Sequence, residues 1–400
     1  MLVRPRGLPE YVWICSGAAI LVIARLLDPG SAWRAVLKGM DVYLFLFGMM
    51  VLAELARHEG VFDWLADNAM RHAGGSPPRL FLLIYMTGTV VTALLSNDAT
   101  AVVLTPAVLA AVRRARVQPK PYLLACAFVA NAASFVLPIS NPANLVIYGR
   151  HLPALGEWLR FFMLPSVIAV GATYIGLRWI SRQELQGKYE PSSVAPLQLS
   201  RQGRLAVVGL VLSALALISA SAASADLGLP TCIAGLASVA LVAWKDRTIP
   251  VKVARDVAWG VLPLVAGLFV IVEGLSHAGL LRGAEAAISW LSAQPAAIAD
   301  LSSAFGVAAI SNLMNNLPVA LAGGAALHHV YDAATLSHAV LLGVNLGPNL
   351  SVTGSLATIL WLIALRRDKV EITPWEFLRA GIILMPISLL LSVLAVTLLK

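Results

Sequence analysis

The sequence is poor in charged residues. Asp, Glu, Lys and Arg make up 12% of its 400 residues, which is about half the share found in a soluble domain. Apolar residues make up 59%, and the mean hydropathy is +0.81. Apolar runs of about 20 residues recur along the chain, and each is long enough to cross a hydrocarbon layer of roughly 30 Å. The composition excludes a soluble domain and predicts an all-α polytopic membrane protein.

Cysteine is also scarce. Cys15, Cys126 and Cys232 lie far apart within apolar runs, and the chain has no Cys-x-x-Cys pair. We interpret them as small packing residues rather than members of a disulfide framework. A phosphate-binding P-loop, a nucleophile elbow and a metal-binding histidine pair are likewise missing from the sequence. We therefore expect no enzymatic activity, no cofactor and no metal, and the chain cannot hydrolyse ATP by itself.

Acidic residues are fewer than basic ones, and the net charge is +8. Nucleic-acid binding could explain such an excess, but the basic residues cluster in loops between apolar runs, at 113–116, 245–247 and 366–369. That pattern is typical of the positive-inside rule. It predicts a multi-pass protein of the cell (inner, cytoplasmic) membrane with its N-terminus in the cytoplasm and its C-terminus outside. The first apolar run, 11–27, is interpreted as a retained membrane anchor.

The two halves of the chain share a pattern of polar residues. An odd number of predicted crossings precedes the second copy, so the copy should enter the membrane upside down, as in inverted-repeat transporters. The matching residues are Glu54, His58, Gly60 and Asn97 in the first half and Glu273, His277, Gly279 and Asn316 in the second.

The repeat predicts a division of the chain into two halves and a connection. The first repeat, 1–180, has crossings within 11–56, an inward-facing hairpin at 79–113, a broken helix at 121–150 and a crossing at 160–180. A cytoplasmic linker at 181–203 and a connecting crossing at 204–223 follow. The inverted second repeat, 229–400, has crossings within 229–275, an outward-facing hairpin at 296–329, a broken helix at 335–366 and a crossing at 375–399.

Four polar interruptions support this division. The two hairpins are interrupted near 96–98 and 311–318, and the two broken helices at 138–144 and 347–355. Two full crossings could replace each hairpin, but arms of roughly 13–17 residues are short for a span. Unpaired backbone groups in lipid cost several kcal/mol each, so such breaks survive where protein or a water-filled cavity satisfies them. The breaks therefore predict a substrate site between the halves.

Small polar residues dominate the breaks and suit a polar solute without charge, because Asn, Ser and Thr both donate and accept hydrogen bonds. Asp98 is the one acid inside a break, and we expect it to carry the coupled proton. Its alternative role is to cap the half-helix that begins at Ala99. The predicted substrate-binding residues are Ser96, Asn97, Asn141, Asn144, Asn315, Asn316, Asn349, Thr353 and Ser355.

Two acids and two histidines near the ends of the crossings are interpreted as interfacial groups. An ion pair of Glu54 with Arg57 or Arg71 is expected. Glu54, His58, Glu273 and His277 are the next candidates for proton transfer after Asp98.

The segments 95–106, 140–144, 312–318 and 345–361 give the chain a close resemblance to the arsenical pump membrane protein family of the ion transporter superfamily. The last segment, with Leu-Gly-Pro followed by Gly-Ser-Leu-Ala-Thr and Leu-Trp, is the most specific. Asn349 departs from the Lys expected in some relatives.

The resemblance implies proton-driven efflux of trivalent arsenite and antimonite by alternating access, with a scaffold domain and a mobile transport domain in each half. It also implies a soluble ATPase partner in some members. As(OH)₃ and Sb(OH)₃ are mostly neutral triols near neutral pH, which fits the breaks, where small polar residues dominate and Asp98 is the one charged residue. Two alternatives from the same superfamily stay open: an organic-anion or dicarboxylate symporter, and a sodium/proton antiporter.

Overall fold

The computed structural model describes residues 9–149, 152–189, 196–330 and 336–400, and all regular secondary structure in these ranges is helical. The helices of the first half are α1 (Glu10–Ile23), α2 (Pro29–Lys38), α3 (Met40–His58), α4 (Val61–His72), α5 (Pro77–Leu94), α6 (Thr105–Arg114), α7 (Lys120–Ala132), α8 (Pro142–Tyr148) and α9 (Leu155–Ile180). Those that follow are α10 (Arg201–Ala222), α11 (Gly228–Ala243), α12 (Ile249–Asp256), α13 (Val261–His277), α14 (Arg282–Ser292), α15 (Ala296–Met314), α16 (Asn316–His329), α17 (Ser337–Leu346), α18 (Leu356–Arg367) and α19 (Pro374–Leu399).

Five of these helices are long and apolar enough to cross a membrane: α5, α9, α10, α15 and α19. The number rises to seven if each of two bent pairs forms one span, namely α2 with α3, bent by 47°, and α12 with α13, bent by 41°. The outer face of α10 is apolar, and its side chains, such as Val211 and Leu212, are more than half exposed. Such a face belongs in lipid, so the chain is an all-α, multi-pass membrane protein.

The hairpin arms are less equal than the sequence predicts. The first arms, α5 and α15, have 18 and 19 residues, whereas both were expected to be shorter than a span. The second arms are shorter: that of the first hairpin has 6 residues in the π-helical segment Ala99–Leu104 followed directly by 10 in α6, and that of the second has 14 in α16. The first arms are longer than expected because α5 begins at Pro77 and α15 continues through Ser311 and Asn312 to Met314. Since α5 and α15 are long enough to cross a membrane, the re-entrant form of the two hairpins stays a prediction.

The order of long, short, bent and broken elements in α1–α9 is repeated in α11–α19. Helix α10 lies between the two sets. The packing also corresponds: α3 packs against α11 as α13 packs against α1, and α9 packs against α19. An internal twofold relation would produce this exchange of partners. The inverted orientation of the second set in a membrane stays a prediction.

Close backbone contact joins α3 to α11. A Cβ added at Gly48 would collide with the carbonyl oxygen of Thr231, and one added at Gly235 would meet the Gly48 carbonyl oxygen at 2.8 Å. Small residues at such crossings let helices approach closely in lipid, where packing rather than the hydrophobic effect drives association.

Several predicted boundaries extend past the described residues. Residue 150 of the first broken helix, residue 335 of the second and positions 190–195 of the linker lie outside the described ranges. Elsewhere the boundaries shift by a few residues. The connecting crossing begins at Arg201, where Ser200 caps α10 by accepting a hydrogen bond from the Gly203 N–H.

Candidate functional site

The two broken helices meet at the centre of the molecule through asparagine side chains. Asn345, the last residue but one of α17, accepts hydrogen bonds through Oδ1 from the Asn141 amide at 2.8 Å and from the Ser134 hydroxyl at 2.6 Å. Its own Nδ2 donates to Asn144 Oδ1 at 2.9 Å. The Asn345 side chain of the second half thus bonds to two residues within the break of the first half and to Ser134 just before it.

The second break is held in a reciprocal way by Asn131, the last residue but one of α7. Its Nδ2 donates to Asn349 Oδ1 at 3.0 Å, and its Oδ1 accepts from Ser355 Oγ at 3.5 Å. Ser355 caps α18, and Asn141 caps α8. Asn345 therefore contacts Asn141, the N-cap of α8, and Asn131 contacts Ser355, the N-cap of α18.

We call this set the central amide network, and all of its members are buried. Its polar atoms are paired with each other or with backbone groups; Asn349 Nδ2, for example, donates to the Phe128 carbonyl oxygen at 3.1 Å. The network includes four predicted substrate ligands, and in this structure their hydrogen bonds join the halves. Their contact with substrate stays a prediction. The members are Asn131, Ser134, Asn141, Asn144, Asn345, Asn349 and Ser355.

At the tip of the first hairpin, the Asp98 carboxylate has no partner among the described residues. Ser96 Oγ accepts the Ala99 N–H at 3.1 Å, and Asn97 Oδ1 accepts the Asp98 N–H at 3.0 Å. Ser96, not Asp98, therefore caps the following turn, which is the π-helical segment Ala99–Leu104. Within the described ranges, no hydrogen bond or ion pair reaches the half-buried Asp98 carboxylate. π-Helical turns are frequent at functional sites, and this one begins directly after the unpaired acid.

The tip of the second hairpin combines backbone strain with unpaired polar groups. Asn315 has φ 78° and ψ 150°, a conformation that belongs essentially to glycine. Its Oδ1 accepts the Leu317 N–H at 3.3 Å. Its Nδ2 and the Ser311 hydroxyl are both buried, and neither has a hydrogen-bond partner among the described residues. The neighbouring Asn316 is buried, and its side-chain amide forms no hydrogen bond with a described residue. Buried polar groups without partners are rare, so this tip is suited to accept an external ligand.

Each tip lies beside the break of its own half. Ser140 Oγ donates to the Ala93 carbonyl oxygen at 3.0 Å, next to the first tip. At the second tip, Asn312 Nδ2 donates to the Gly347 carbonyl oxygen at 2.8 Å, and Thr353 Oγ1 donates to the Asn312 carbonyl oxygen at 2.7 Å. The central amide network then joins the two tip–break pairs, although no hydrogen bond between described residues links the tips directly.

Several polar residues of the structure were not among the predicted site residues. Asn131 and Ser134 precede the first break inside an apolar run, and an isolated asparagine at membrane depth was the available signal. Asn312 and Asn345 lie in the segments 312–318 and 345–361, which carry the family resemblance, but they were not among the predicted substrate ligands. Asp300 was also missed; it is buried and accepts hydrogen bonds from Lys400 at 2.6 Å and Thr397 at 2.8 Å.

Glu54 and Glu273, the two acids interpreted as interfacial, form ion pairs. Glu54 lies 2.6 Å from Arg57, as expected, and the same guanidinium lies 2.6 Å from Asp256 of α12. In the second half, Glu273 of α13 lies 2.8 Å from Lys38 of α2. Since α2 and α12 occupy corresponding places, the two pairs fasten the bent segments in a matching way.

The two histidines lie at the margins of these pairs. His58 Nε2 is 3.0 Å from Asp256, and His277 Nε2 is 3.5 Å from Glu273. Glu54, His58 and Asp256 are close enough together to hold a metal ion. The Arg57 guanidinium, however, bonds to both carboxylates, and a cation at that point disfavours a second cation.

Replacing Asn345 by Leu should destabilise the protein strongly. The change leaves Asn141 Nδ2 and Asn144 Oδ1 without the partner that Asn345 supplies, whereas the Ser134 hydroxyl keeps its bond to the Asn131 carbonyl oxygen. Each unpaired buried group costs about 1–3 kcal/mol. We expect a large fall in the melting temperature of the detergent-purified variant. Asn316→Leu is the matched control, since it removes an amide without a described partner, and it should melt close to wild type. Equal melting temperatures for Asn345→Leu and wild type would contradict the structural role of the network.

Comparison with known proteins agrees with this architecture. Residues 6–346 match the profile of the CitMHS family, described as citrate transporter. An arsenical pump membrane protein of Yersinia enterocolitica is 27% identical over 95% of this chain and 91% of its own length. The homologous protein of Escherichia coli K12 is 26% identical with the same coverage, and an uncharacterized transporter of Mycobacterium tuberculosis is 28% identical over 94% of this chain and 90% of its own.

A solved structure has the same overall fold. The YdaH transporter of Alcanivorax borkumensis superposes with a TM-score of 0.60 at 15% identity, covering 97% of both chains. The resemblance to arsenical pump membrane proteins is thus confirmed along nearly the whole sequence, and the proteins it resembles are membrane transporters. Because the family profile covers most of its length, the chain belongs to the citrate transporter family, CitMHS.

Proposed function

We propose that this transporter exports trivalent arsenite and antimonite, as As(OH)₃ and Sb(OH)₃, across the cytoplasmic membrane in exchange for protons. The observation that carries the proposal is the second hairpin tip, where Asn315 Nδ2 and the Ser311 hydroxyl are buried without partners among the described residues. A neutral triol can pair with such groups, because each of its hydroxyls both donates and accepts. The names of the arsenical pump relatives support the same substrate.

The charge of the two tips distinguishes this substrate from a carboxylate. The stretches 95–104 and 311–318 contain no Lys or Arg. Carboxylates are held best by charge-assisted hydrogen bonds from such cations, which a citrate or dicarboxylate symporter would need. Citrate is the competing substrate, because the family is described as citrate transporter. At these tips, the ends of the half-helices alone would have to bind the carboxylates of citrate.

Export against a gradient requires a coupled ion, because a neutral solute gains nothing from the membrane potential. A proton that enters as the solute leaves contributes about 2.3 kcal/mol per 100 mV. Asp98 is the proposed carrier, since its carboxylate has no partner among the described residues and lies at the first hairpin tip. In this scheme the two halves form an inverted repeat, the N-terminus is cytoplasmic, and the tips move during alternating access.

Growth of a bacterial strain that lacks its own arsenite efflux tests the proposal. Expression of the chain should restore growth in arsenite and in antimonite, while citrate should neither be taken up nor protect the cells. Membrane-inserted protein that confers no metalloid tolerance would contradict the substrate assignment. Citrate uptake, or a sodium-dependent pH change in vesicles, would identify the corresponding alternative.

Transport should not depend on thiolates. Cys15, Cys126 and Cys232 are free and lie on three different helices, α1, α7 and α11. We expect the variant in which all three are replaced by Ala or Ser to retain most of its arsenite transport. The measurement is the initial rate of arsenite uptake by everted vesicles, normalised to folded transporter. A folded but inactive triple variant would require a thiolate site instead.

A further inference from the structure

A basic cavity of about 500 Å³ lies at the edge of the helical bundle, away from the tips and the central amide network. It is bounded by the turn between α4 and α5 and by the loop that follows α9. The lining residues that matter for its chemistry are Gly74, Gly75, Ser76, Arg178, Arg182 and Lys188. The cavity thus brings three cationic side chains to one opening.

The cations of the cavity are not neutralised by described residues. Arg178 donates to the Tyr174 hydroxyl at 3.0 Å, and the Arg182 guanidinium lies 5.6 Å from the centre of the Trp179 ring. No carboxylate within the described ranges forms an ion pair with Arg178, Arg182 or Lys188. Three unpaired cations around one cavity favour an anionic ligand.

Asp67 of α4, the helix before the turn that bounds the cavity, is already paired with other cations. Asp67 lies 2.8 Å from Arg71 and 3.4 Å from Arg114. Burial raises the pKa of the Asp67 carboxyl, but the hydrogen bonds from Arg71 and the Leu197 N–H, with the charge of Arg114, outweigh it and hold the pKa below its usual range. Asp67 is therefore ionised at neutral pH, and its charge is compensated by Arg71 and Arg114 rather than by the cations of the cavity.

The wall of the cavity is a fixed structure. The Tyr189 N–H donates to the Gly75 carbonyl oxygen at 3.0 Å, and the Tyr189 hydroxyl donates to the Met70 carbonyl oxygen at 2.9 Å. Leu185 is buried beneath the loop. Gly74 and Gly75 have φ of 58° and 78°. Glycine adopts this left-handed conformation without strain, whereas a residue with a side chain would be strained there.

The cavity opens next to a lipid-facing surface. Ile175 and Trp179 of α9 are 67% and 58% exposed, one turn apart on the same side of the helix. Arg178 and Arg182 continue this side toward the loop. An exposed tryptophan beside arginines at the end of an apolar helix is typical of the headgroup level of a bilayer.

We propose that this cavity binds the headgroup of an anionic phospholipid, with Arg178, Arg182 and Lys188 around the phosphate and the acyl chains along Ile175 and Trp179. A free phosphate would use the same cations but not the apolar surface. The lipid would bridge α9 to the turn between α4 and α5, and so couple the end of a spanning helix to the base of the first hairpin.

Native mass spectrometry of the detergent-purified protein, titrated with phosphatidylglycerol and separately with phosphatidylcholine, tests the proposal. Wild type should retain phosphatidylglycerol saturably and in preference to phosphatidylcholine. The double variant Arg178→Gln with Arg182→Gln should bind it about 30-fold more weakly, because each basic residue at an anionic surface contributes about 1 kcal/mol. Its melting temperature in detergent should match wild type, since both side chains are exposed.

The matched control removes the same charge elsewhere. Arg201→Gln with Arg204→Gln alters two exposed arginines at the start of α10, outside the cavity, and should leave phosphatidylglycerol binding within about threefold of wild type. Equal loss in both double variants would overturn the proposal and leave only general surface attraction. Complete displacement of the lipid by millimolar inorganic phosphate would also overturn it, in favour of a soluble phosphate site.

Discussion

The Asp98→Asn variant should bind arsenite and exchange it downhill but lose uphill efflux. Asparagine keeps the shape of the side chain and its capacity to form hydrogen bonds, but it cannot take up or release a proton. The native carboxylate has no partner among the described residues, and Ser96 supplies the cap at this tip. The substitution should therefore cost little stability, and its effect should fall on coupling.

The size of the effect follows from the membrane potential. One proton charge moving through 100 mV contributes about 2.3 kcal/mol, which corresponds to an arsenite ratio of roughly 50-fold. In Asp98→Asn vesicles the ratio should fall to about one, while counterflow of preloaded arsenite should persist. Asp300→Asn is the matched control: this buried acid is already paired with Lys400, so the variant should lose stability but keep uncoupler-sensitive accumulation.

An Asp98→Asn protein that still builds an uncoupler-sensitive gradient would show that the proton travels elsewhere. Glu54, His58, Glu273 and His277 would then be tested next. Their ion-pair geometry, such as the 2.6 Å contact of Glu54 with Arg57, fits structural roles better.

Replacing Asn315 by Gly should weaken arsenite binding and transport strongly without unfolding the protein. Glycine adopts the observed φ of 78° without strain, and replacing a polar helix cap by glycine costs only a few tenths of a kcal/mol. The variant thus removes the buried, unpaired amide while it preserves the backbone of the tip. We expect arsenite affinity to fall about 5- to 150-fold, as for loss of one partner of a buried polar pair.

The measurement is arsenite binding to purified protein, together with the transport rate in vesicles. Ser388→Ala is the control, because the Ser388 hydroxyl bonds to the Leu384 carbonyl oxygen of its own helix, far along the chain from the tip. It should transport as wild type does. Wild-type affinity in Asn315→Gly would remove the second tip from the substrate site. Parallel losses are expected for Asn97→Leu and Asn316→Leu.

Apolar runs and polar interruptions predicted much of the fold. A chain that must satisfy every backbone group inside lipid has few choices, so long apolar runs become helices, and runs containing Pro, Gly and Asn become breaks. For this reason the break at 347–355 lies between α17 and α18, and the break at 138–144 covers the end of the gap between α7 and α8 and the first residues of α8. Arm lengths were harder to predict, because α15 continues as a helix through the polar residues Ser311 and Asn312.

The roles of individual asparagines could not be predicted in the same way. In the sequence, all five asparagines lie in polar interruptions of apolar runs, so Asn141, Asn144 and Asn349 cannot be distinguished from Asn97 and Asn316. In the structure the first three are bonded to side chains or backbone of the network, whereas the side-chain amides of the other two donate to no described residue. Which partner an amide finds depends on the packing of distant helices, and Asn131 and Asn345 lie more than 200 positions from some of their partners.

Arsenite accumulation in everted membrane vesicles tests the central claim most directly. Vesicles containing the transporter and energised by respiration should accumulate arsenite, and an uncoupler should abolish the accumulation. Vesicles with Asp98→Asn should bind but not accumulate it, and vesicles without the transporter should do neither. Accumulation that is insensitive to the uncoupler, or transport of citrate with no transport of arsenite, would contradict a proton-driven efflux of neutral metalloids.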